Sequence, residues 1–287
     1  MLAHALNACN DPRVQRSESV EGAAANRSLA RGLYVLRRLI ESPSPLRLTD
    51  LADELGMHQS SVSRIMATLS TAGFARTDGH GRFVPDYAIV TLAAQTARLP
   101  LLSRPWPVFE RLARTHPDLS ATVAMLWRDQ LVYGLRSGGR GVAMVRQFPG
   151  YPLHRSTPGL RLLLDLPESE ALRLLAASRA QFGWSGDPAV VPSDERTLLA
   201  RARERCEHEV LLLSDGWAVR TVLAGAIPVR TTEPHPVALT LLDHHGVCTP
   251  DELRLVLHTV RRELEEAFLT DETSPDPIPS MTGVRHV

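Results

Sequence analysis

Between residues 27 and 86, apolar side chains recur at helical spacing in three successive blocks, each closed by a breaker. The first block, RSLARGLYVLRRLI, sets Leu29, Leu33, Leu36 and Ile40 at i, i+4, i+7 and i+11, one stripe that predicts an inward helix face. The S-P-S-P run at 42–45 stops it, because proline lacks the N–H donor and restricts the residue before it. Thr49 is then expected to cap a short helix, TDLADEL, which turns Leu51 and Leu55 inward and ends at Gly56. After a tight turn, HQSSVSRIMATLSTAG repeats the pattern with Val62, Ile65, Met66 and Leu69 and ends at Gly73. FARTD and RFVP, separated by a glycine-rich turn, read as two short strands. Three helices, a very short turn between the second and third, and a hairpin predict a winged helix-turn-helix over residues 27–86.

The flanking pattern differs. Residues 1–26 are polar and Asn/Ser/Ala-rich without sustained periodicity, which predicts a flexible arm. YAIVTLAAQTARL, residues 87–99, predicts a linker helix. Over 100–270, helices are expected near 105–115, 157–165, 168–178, 193–208 and 250–269. Strands are expected at TVAMLW, LVYGLRS, VAMVRQ, WAVRTVLAGAIPV and PVALTLL, the first two joined by a hairpin-length turn. The last helix opens on T-P-D-E, with Thr249 as cap, Pro250 in the first helical position and Glu252 closing a capping box. This mixture predicts an α+β domain on an antiparallel sheet. Residues 271–287 predict a disordered tail.

Composition narrows the chemistry. The 287 residues carry 32 basic and 32 acidic side chains, so the formal net charge is zero, and every basic residue is arginine. Without lysine there is no P-loop lysine, Schiff-base amine or kinase third-strand lysine. Arginine binds phosphates and carboxylates by a planar fork but does not replace lysine as a base. No run of 18 apolar residues predicts a membrane span. The L-N-A-C at 6–9 lacks a basic n-region, and the three cysteines form no C-x-x-C unit. These features predict a reduced, cytoplasmic protein.

Charge distribution says more than charge total. On the third helix, the face opposite the apolar stripe holds Ser60, Arg64, Ala67 and Thr71, flanked by Gln59, Ser63 and Thr68, and no acid occurs between Met57 and Thr77. Short side chains permit close approach to a major groove, Arg64 suits a guanine edge or a phosphate, and Gln59 suits adenine. His58, Ser61 and the other hydroxyls belong to the same candidate surface. The wing offers Arg76, His80 and Arg82 for the backbone or the minor groove, and the first helix offers Arg27 and Arg31 for phosphates. Residues 27–86 hold 8 arginines against 6 acids, so a neutral total does not exclude double-stranded DNA.

RSLARGLYVLRRLIES, LTDLADELG and SSVSRIMATLSTAGF resemble the DNA-binding domain of IclR-type bacterial transcription regulators. YPLHRSTPGLRLLL is similar to that family's signature, and AIPV followed by PVALTL extends the resemblance over about residues 27–269. It implies a GAF/profilin-like effector-binding and oligomerisation domain over 100–270. It also implies operator DNA and a small-molecule effector as partners, a homodimer or tetramer, and a nucleoid-associated, non-enzymatic repressor or activator. Carried over by position, the ligand candidates are Thr157, Pro158, Ser214, Asp215, Ala224 and Thr240. Gly159 keeps the signature glycine, but Leu160 stands where a lysine is usual, and Thr240-Leu241-Leu242 replaces a Ser-rich strand.

The rival reading is an enzymatic or small-molecule-binding α+β domain whose N-terminal helices serve oligomerisation. Its sharpest cluster is D-H-H-G-V-C, with Asp243, His244, His245 and Cys248, and His154 upstream. Adjacent histidines on a strand point apart, so the run reads as a turn before the last helix. Cys206, expected within an Arg/Glu-rich helix, reads as a packing residue. No catalytic residue, metal or cofactor is assigned.

Overall fold

The computed structural model describes residues 26–138, 141–144, 151–214, 216–217 and 222–269. The arm up to residue 25 and the tail from 270 lie outside them. The chain divides into two compact units that meet in sequence at Thr96 and Ala97.

The first unit comprises α1 (Arg27–Glu41), α2 (Leu48–Leu55), α3 (Gln59–Thr71), strands β1 (Ala75–Thr77) and β2 (Phe83–Pro85), and α4 (Ala88–Thr96). Asn26 caps α1, its side chain accepting from Ser28 N and Leu29 N at 3.1 Å each. Gly56 ends α2 at φ 56°, a left-handed conformation that costs glycine nothing. Val35, Leu39, Leu51, Ala52, Val62, Met66 and Ala75 form the core. The Arg38 guanidinium forks onto the Glu54 carboxylate, tying α1 to α2.

Two local expectations fail here. The helix α1 forms, but its core face is Val35 and Leu39, while Leu29, Leu33 and Ile40 are 60%, 58% and 47% exposed. The helix is apolar on more than one side, so periodicity alone does not say which stripe meets α3. Second, α2 begins at Leu48 with Arg47 as the cap residue, so Thr49 lies inside the first turn. The α1–α2 connection pairs with the wing, Leu46 and Phe83 exchanging backbone hydrogen bonds at 2.9 and 2.7 Å, and this fixes the start of α2.

The second unit begins with α5 (Pro100–Ser103) and α6 (Trp106–Thr115), then strands β3 (Leu119–Trp127), β4 (Gln130–Gly138) and β5 (Gly141–Met144). A 3-10 turn (Leu153–Arg155) leads to α7 (Thr157–Leu163), α8 (Glu168–Phe182) and α9 (Glu195–Glu204). Strands β6 (Cys206–Glu207), β7 (Val210–Ser214), β8 (Leu223–Val229) and β9 (Val237–Asp243) precede α10 (Pro250–Leu269). The seven strands form one wholly antiparallel sheet in the order β5-β4-β3-β9-β8-β7-β6. One face packs Leu119, Val123, Ile227 and Leu239 with Phe109 of α6 and Leu253 and Leu257 of α10. The other packs Ala124, Leu213 and Ala238 with Leu160 and Leu163 of α7, Leu174 of α8 and Leu198 of α9.

The expected turn at Arg128-Asp129 is present with φ 45° and 64°. The Thr249–Glu252 capping box is also present, Thr249 N reaching Glu252 Oε2 at 2.8 Å and Glu252 N reaching Thr249 Oγ1 at 3.3 Å. The helix expected to 208 stops at Glu204, and Cys206 lies on β6. His208 and Glu209 take left-handed φ values of 48° and 67° and reverse the chain into β7. An unbroken charged run hides that hairpin, and the sequence pattern does not display β7. In the run from Trp217, the strand begins only at Leu223, and Trp217 is a fully buried bend residue.

Candidate nucleic-acid interface and the buried face of the second unit

The helix α3 buries Val62 and Met66, and this orientation leaves His58, Gln59, Ser60, Ser63, Arg64, Ala67, Thr68 and Thr71 exposed. Ser61 is half-buried. The exposed face therefore holds one guanidinium, an amide and several hydroxyls with no carboxylate on the helix. Arg27, Arg31, Arg76 and His80 are exposed as well. Arg76 stands 3.9 Å from Asp86, a weak contact for two largely solvated groups.

Arg82 is placed differently from a free wing cation. Its Nε and Nη2 both lie 2.8 Å from Asp78 Oδ2, and Asp78 Oδ1 accepts from the backbone N–H groups of His80 and Arg82 at 3.1 and 3.0 Å. Burial alone would raise the Asp78 pKa, but these hydrogen bonds and the guanidinium together hold it below the ordinary carboxylate value. The wing turn is thus organised around one neutralised carboxylate.

The fold adds Arg47 to the residues that the sequence pattern marks. Because Leu46 pairs with Phe83, the start of α2 stands beside the wing turn. Arg47, Leu48, Thr49, His80, Gly81 and Arg82 line an open groove of about 560 Å³. The only available signal was an arginine just before the helix, and that says nothing without the long-range pairing.

In the second unit, α7 packs against β7, β8 and β9. Thr157, Pro158, Ala224 and Thr240 are all buried on this side. Thr240 pairs in register with Ala226 and Thr122, and its hydroxyl has no hydrogen-bond partner among the described residues. Ser214 is half-buried, and strand alternation groups it with Leu212 on the α10 face, away from Ala224 and Thr240. Asp215 lies outside the described residues.

The α7 start is held by a short chain of hydroxyls. Tyr133 Oη lies 2.9 Å from Ser156 Oγ, which caps α7 by accepting from Gly159 N at 3.0 Å. Burial pushes the Tyr133 phenol well above its usual range. A Cβ on Gly159 would stand 2.9 Å from Leu153 Cδ2 and 3.0 Å from Ser156 Oγ, so a larger residue would disturb the cap. Leu160 is completely buried, so a lysine at this position would place an ammonium in the core.

The residues that suggested metal or nucleophile chemistry separate. Asp243 is buried and accepts from His245 N, Gly246 N and Cys248 N at 2.8–2.9 Å. Burial would raise its pKa, but the backbone donors outweigh it and lower the value. His154 stacks on Trp184 with centroids 4.3 Å apart, and burial holds its pKa below normal. Among the described residues, no three His, Cys, Asp or Glu side chains converge as metal ligands.

A winged helix-turn-helix unit followed by an antiparallel α+β unit defines a two-part architecture. The segment 28–79 matches the IclR helix-turn-helix domain, and the chain as a whole is similar to IclR-type transcriptional regulators. It is 26% identical over 186 residues to the acetate operon repressor of Salmonella typhimurium, covering 62% of this chain and 66% of that protein, just under two thirds of its length. An IclR family transcriptional regulator from Brucella abortus shares the fold at TM-score 0.65 and 25% identity, over 88% of this chain and 96% of that one. An IclR homologue from Microbacterium hydrocarbonoxydans, solved in complex with 4-hydroxybenzoate, has a TM-score of 0.61 at 19% identity, covering 84% and 98%.

Proposed function

We propose that this protein binds operator DNA and regulates transcription, with α3 in the major groove. The carrying observation is the exposed, carboxylate-free face of α3 within an IclR helix-turn-helix unit. Arg64 and Gln59 read base edges, His58, Ser60, Ser61, Ser63 and Thr68 approach edges or phosphates, and Arg27, Arg31, Arg76, His80 and Arg82 serve the backbone. The test is retention on immobilised duplex DNA with steep salt dependence, followed by operator selection from random sequence. A chain that passes through at low salt refutes the reading.

The reading includes self-association. Leu29, Leu33 and Ile40 of α1 and Tyr87, Val90 and Leu92 at α4 are exposed, and α4 contains no charged residue and no buried one. Helices of this composition are stable in water when a second surface covers them. A second copy does so in a homodimer or tetramer, which matches the paired half-sites such modules read.

The second unit binds a small effector on the α7 side of its sheet, and binding shifts operator affinity through segment 87–99. The buried Thr240 hydroxyl supports this, because an unpartnered buried hydroxyl carries a desolvation cost that a polar ligand would offset. The Microbacterium homologue's 4-hydroxybenzoate makes aromatic and hydroxy acids the first compounds to test in a thermal-shift series. Unchanged melting with all of them, together with unchanged operator affinity, would remove this part.

A further inference from the structure

The groove between the start of α2 and the wing turn brings Arg47, His80 and Arg82 together from two segments. The Leu46–Phe83 backbone pair fixes those segments, so the groove is preformed rather than assembled by flexible side chains. Two carboxylates, Asp78 and Asp50, are hydrogen-bonded to residues that line it. Asp78 is neutralised by Arg82 and two backbone N–H groups. Asp50 accepts from Arg47 N and from the Thr49 hydroxyl, each at 3.4 Å. The Arg47 side chain is exposed and forms no ion pair with any described residue.

Arg82 is therefore shared between the turn and any bound anion, and Arg47 supplies the guanidinium that no carboxylate pairs with. An open groove lined by guanidinium and imidazole groups suits a tetrahedral oxyanion, because arginine presents several fixed N–H donors to phosphate oxygens. Its occupant has to be reachable from a polymer surface, and the groove lies in the same unit as the α3 face. We propose that this groove seats a backbone phosphate of bound duplex DNA, with Arg47 as its principal cation and His80 as a second donor. This rests on the DNA-binding reading above and adds a contact that anchors α2 and the wing to one strand.

The test uses the full chain and a labelled random-sequence duplex, with binding followed by fluorescence anisotropy between about 50 and 200 mM salt. Losing one phosphate contact flattens the slope of log K against log salt by about 0.9, a change of roughly 3.5-fold in relative affinity across that range. Arg47→Ala should show that loss, Arg47→Lys should retain the slope, and Arg196→Ala on α9 should match wild type. Thermal melting of each variant checks folding, and the exposed position of Arg47 predicts unchanged melting. An unchanged slope in folded Arg47→Ala, or an equal loss in Arg196→Ala, overturns the proposal while leaving DNA binding intact. Absence of duplex binding by the wild type overturns the underlying reading instead. Inorganic phosphate separates the remaining source. Should it raise wild-type melting but not that of Arg47→Ala, with equal DNA slopes, the groove takes free anions and the duplex assignment is overturned.

Discussion

Arg82 and Asp78 close a fork across the wing turn, both Nε and Nη2 of the arginine standing 2.8 Å from the same carboxylate oxygen. An arginine that sequence marks as a DNA contact is thus also the counter-ion that shapes the wing. The pair makes the wing pH-sensitive in a definite direction. The Asp78 pKa is lowered in the folded state, so its contribution is present above the unfolded value and is lost as pH falls through the folded one. Protection of the His80 and Arg82 amides, measured against their intrinsic exchange rates, should fall on acidification, and Asp78→Asn should abolish that acid dependence. Protection factors that do not change with pH in the wild type would contradict it.

Arg64→Ala should relax preference at one base step by ~1–3 kcal/mol, while Arg82→Ala should weaken all sequences alike. Gel shifts on a selected operator and on single-step variants measure both. If the two substitutions give the same profile as wild type, α3 does not read the groove.

The two apolar stripes of α1 should separate cleanly in mutation. Leu39, 1% exposed, should lose about 2–5 kcal/mol on truncation to Ala, read by chemical denaturation. Leu33→Glu and Val90→Glu should leave the fold intact and shift the molecular mass toward monomer in light scattering. Wild-type mass in the double variant would exclude these surfaces from self-association.

Thr240→Val removes a buried hydroxyl without a partner and keeps the shape, so the ligand-free protein should be as stable or more so. The same change should reduce effector-induced stabilisation in a thermal-shift assay. A variant that responds as wild type would place effector recognition elsewhere.

Ser156→Ala removes the α7 cap and the partner of Tyr133, and should cost ~1 kcal/mol or more by denaturation. A neutral outcome would mean that a water replaces the hydroxyl at both bonds.

Residue spacing and breakers by themselves determined the helix order of the first unit, the wing, the acid-free α3 face, and the caps at Gly56 and Thr249. These are local properties, decided within a turn or two of chain by propensity, proline, glycine and capping chemistry. Only the tertiary structure decided which stripe of α1 is core, because that depends on where α3 lies. It also decided that Cys206 belongs to a strand, since reversal at His208-Glu209 is stabilised by pairing of β6 with β7 and β7 with β8. The separation of Ser214 from Thr240 follows from strand alternation in a sheet whose order the sequence does not state. Arg47 and His80 line one groove only because Leu46 hydrogen-bonds Phe83, 37 positions later in the chain. Contacts of that range are set by the mutual packing of elements, which the order of residues along the chain does not display.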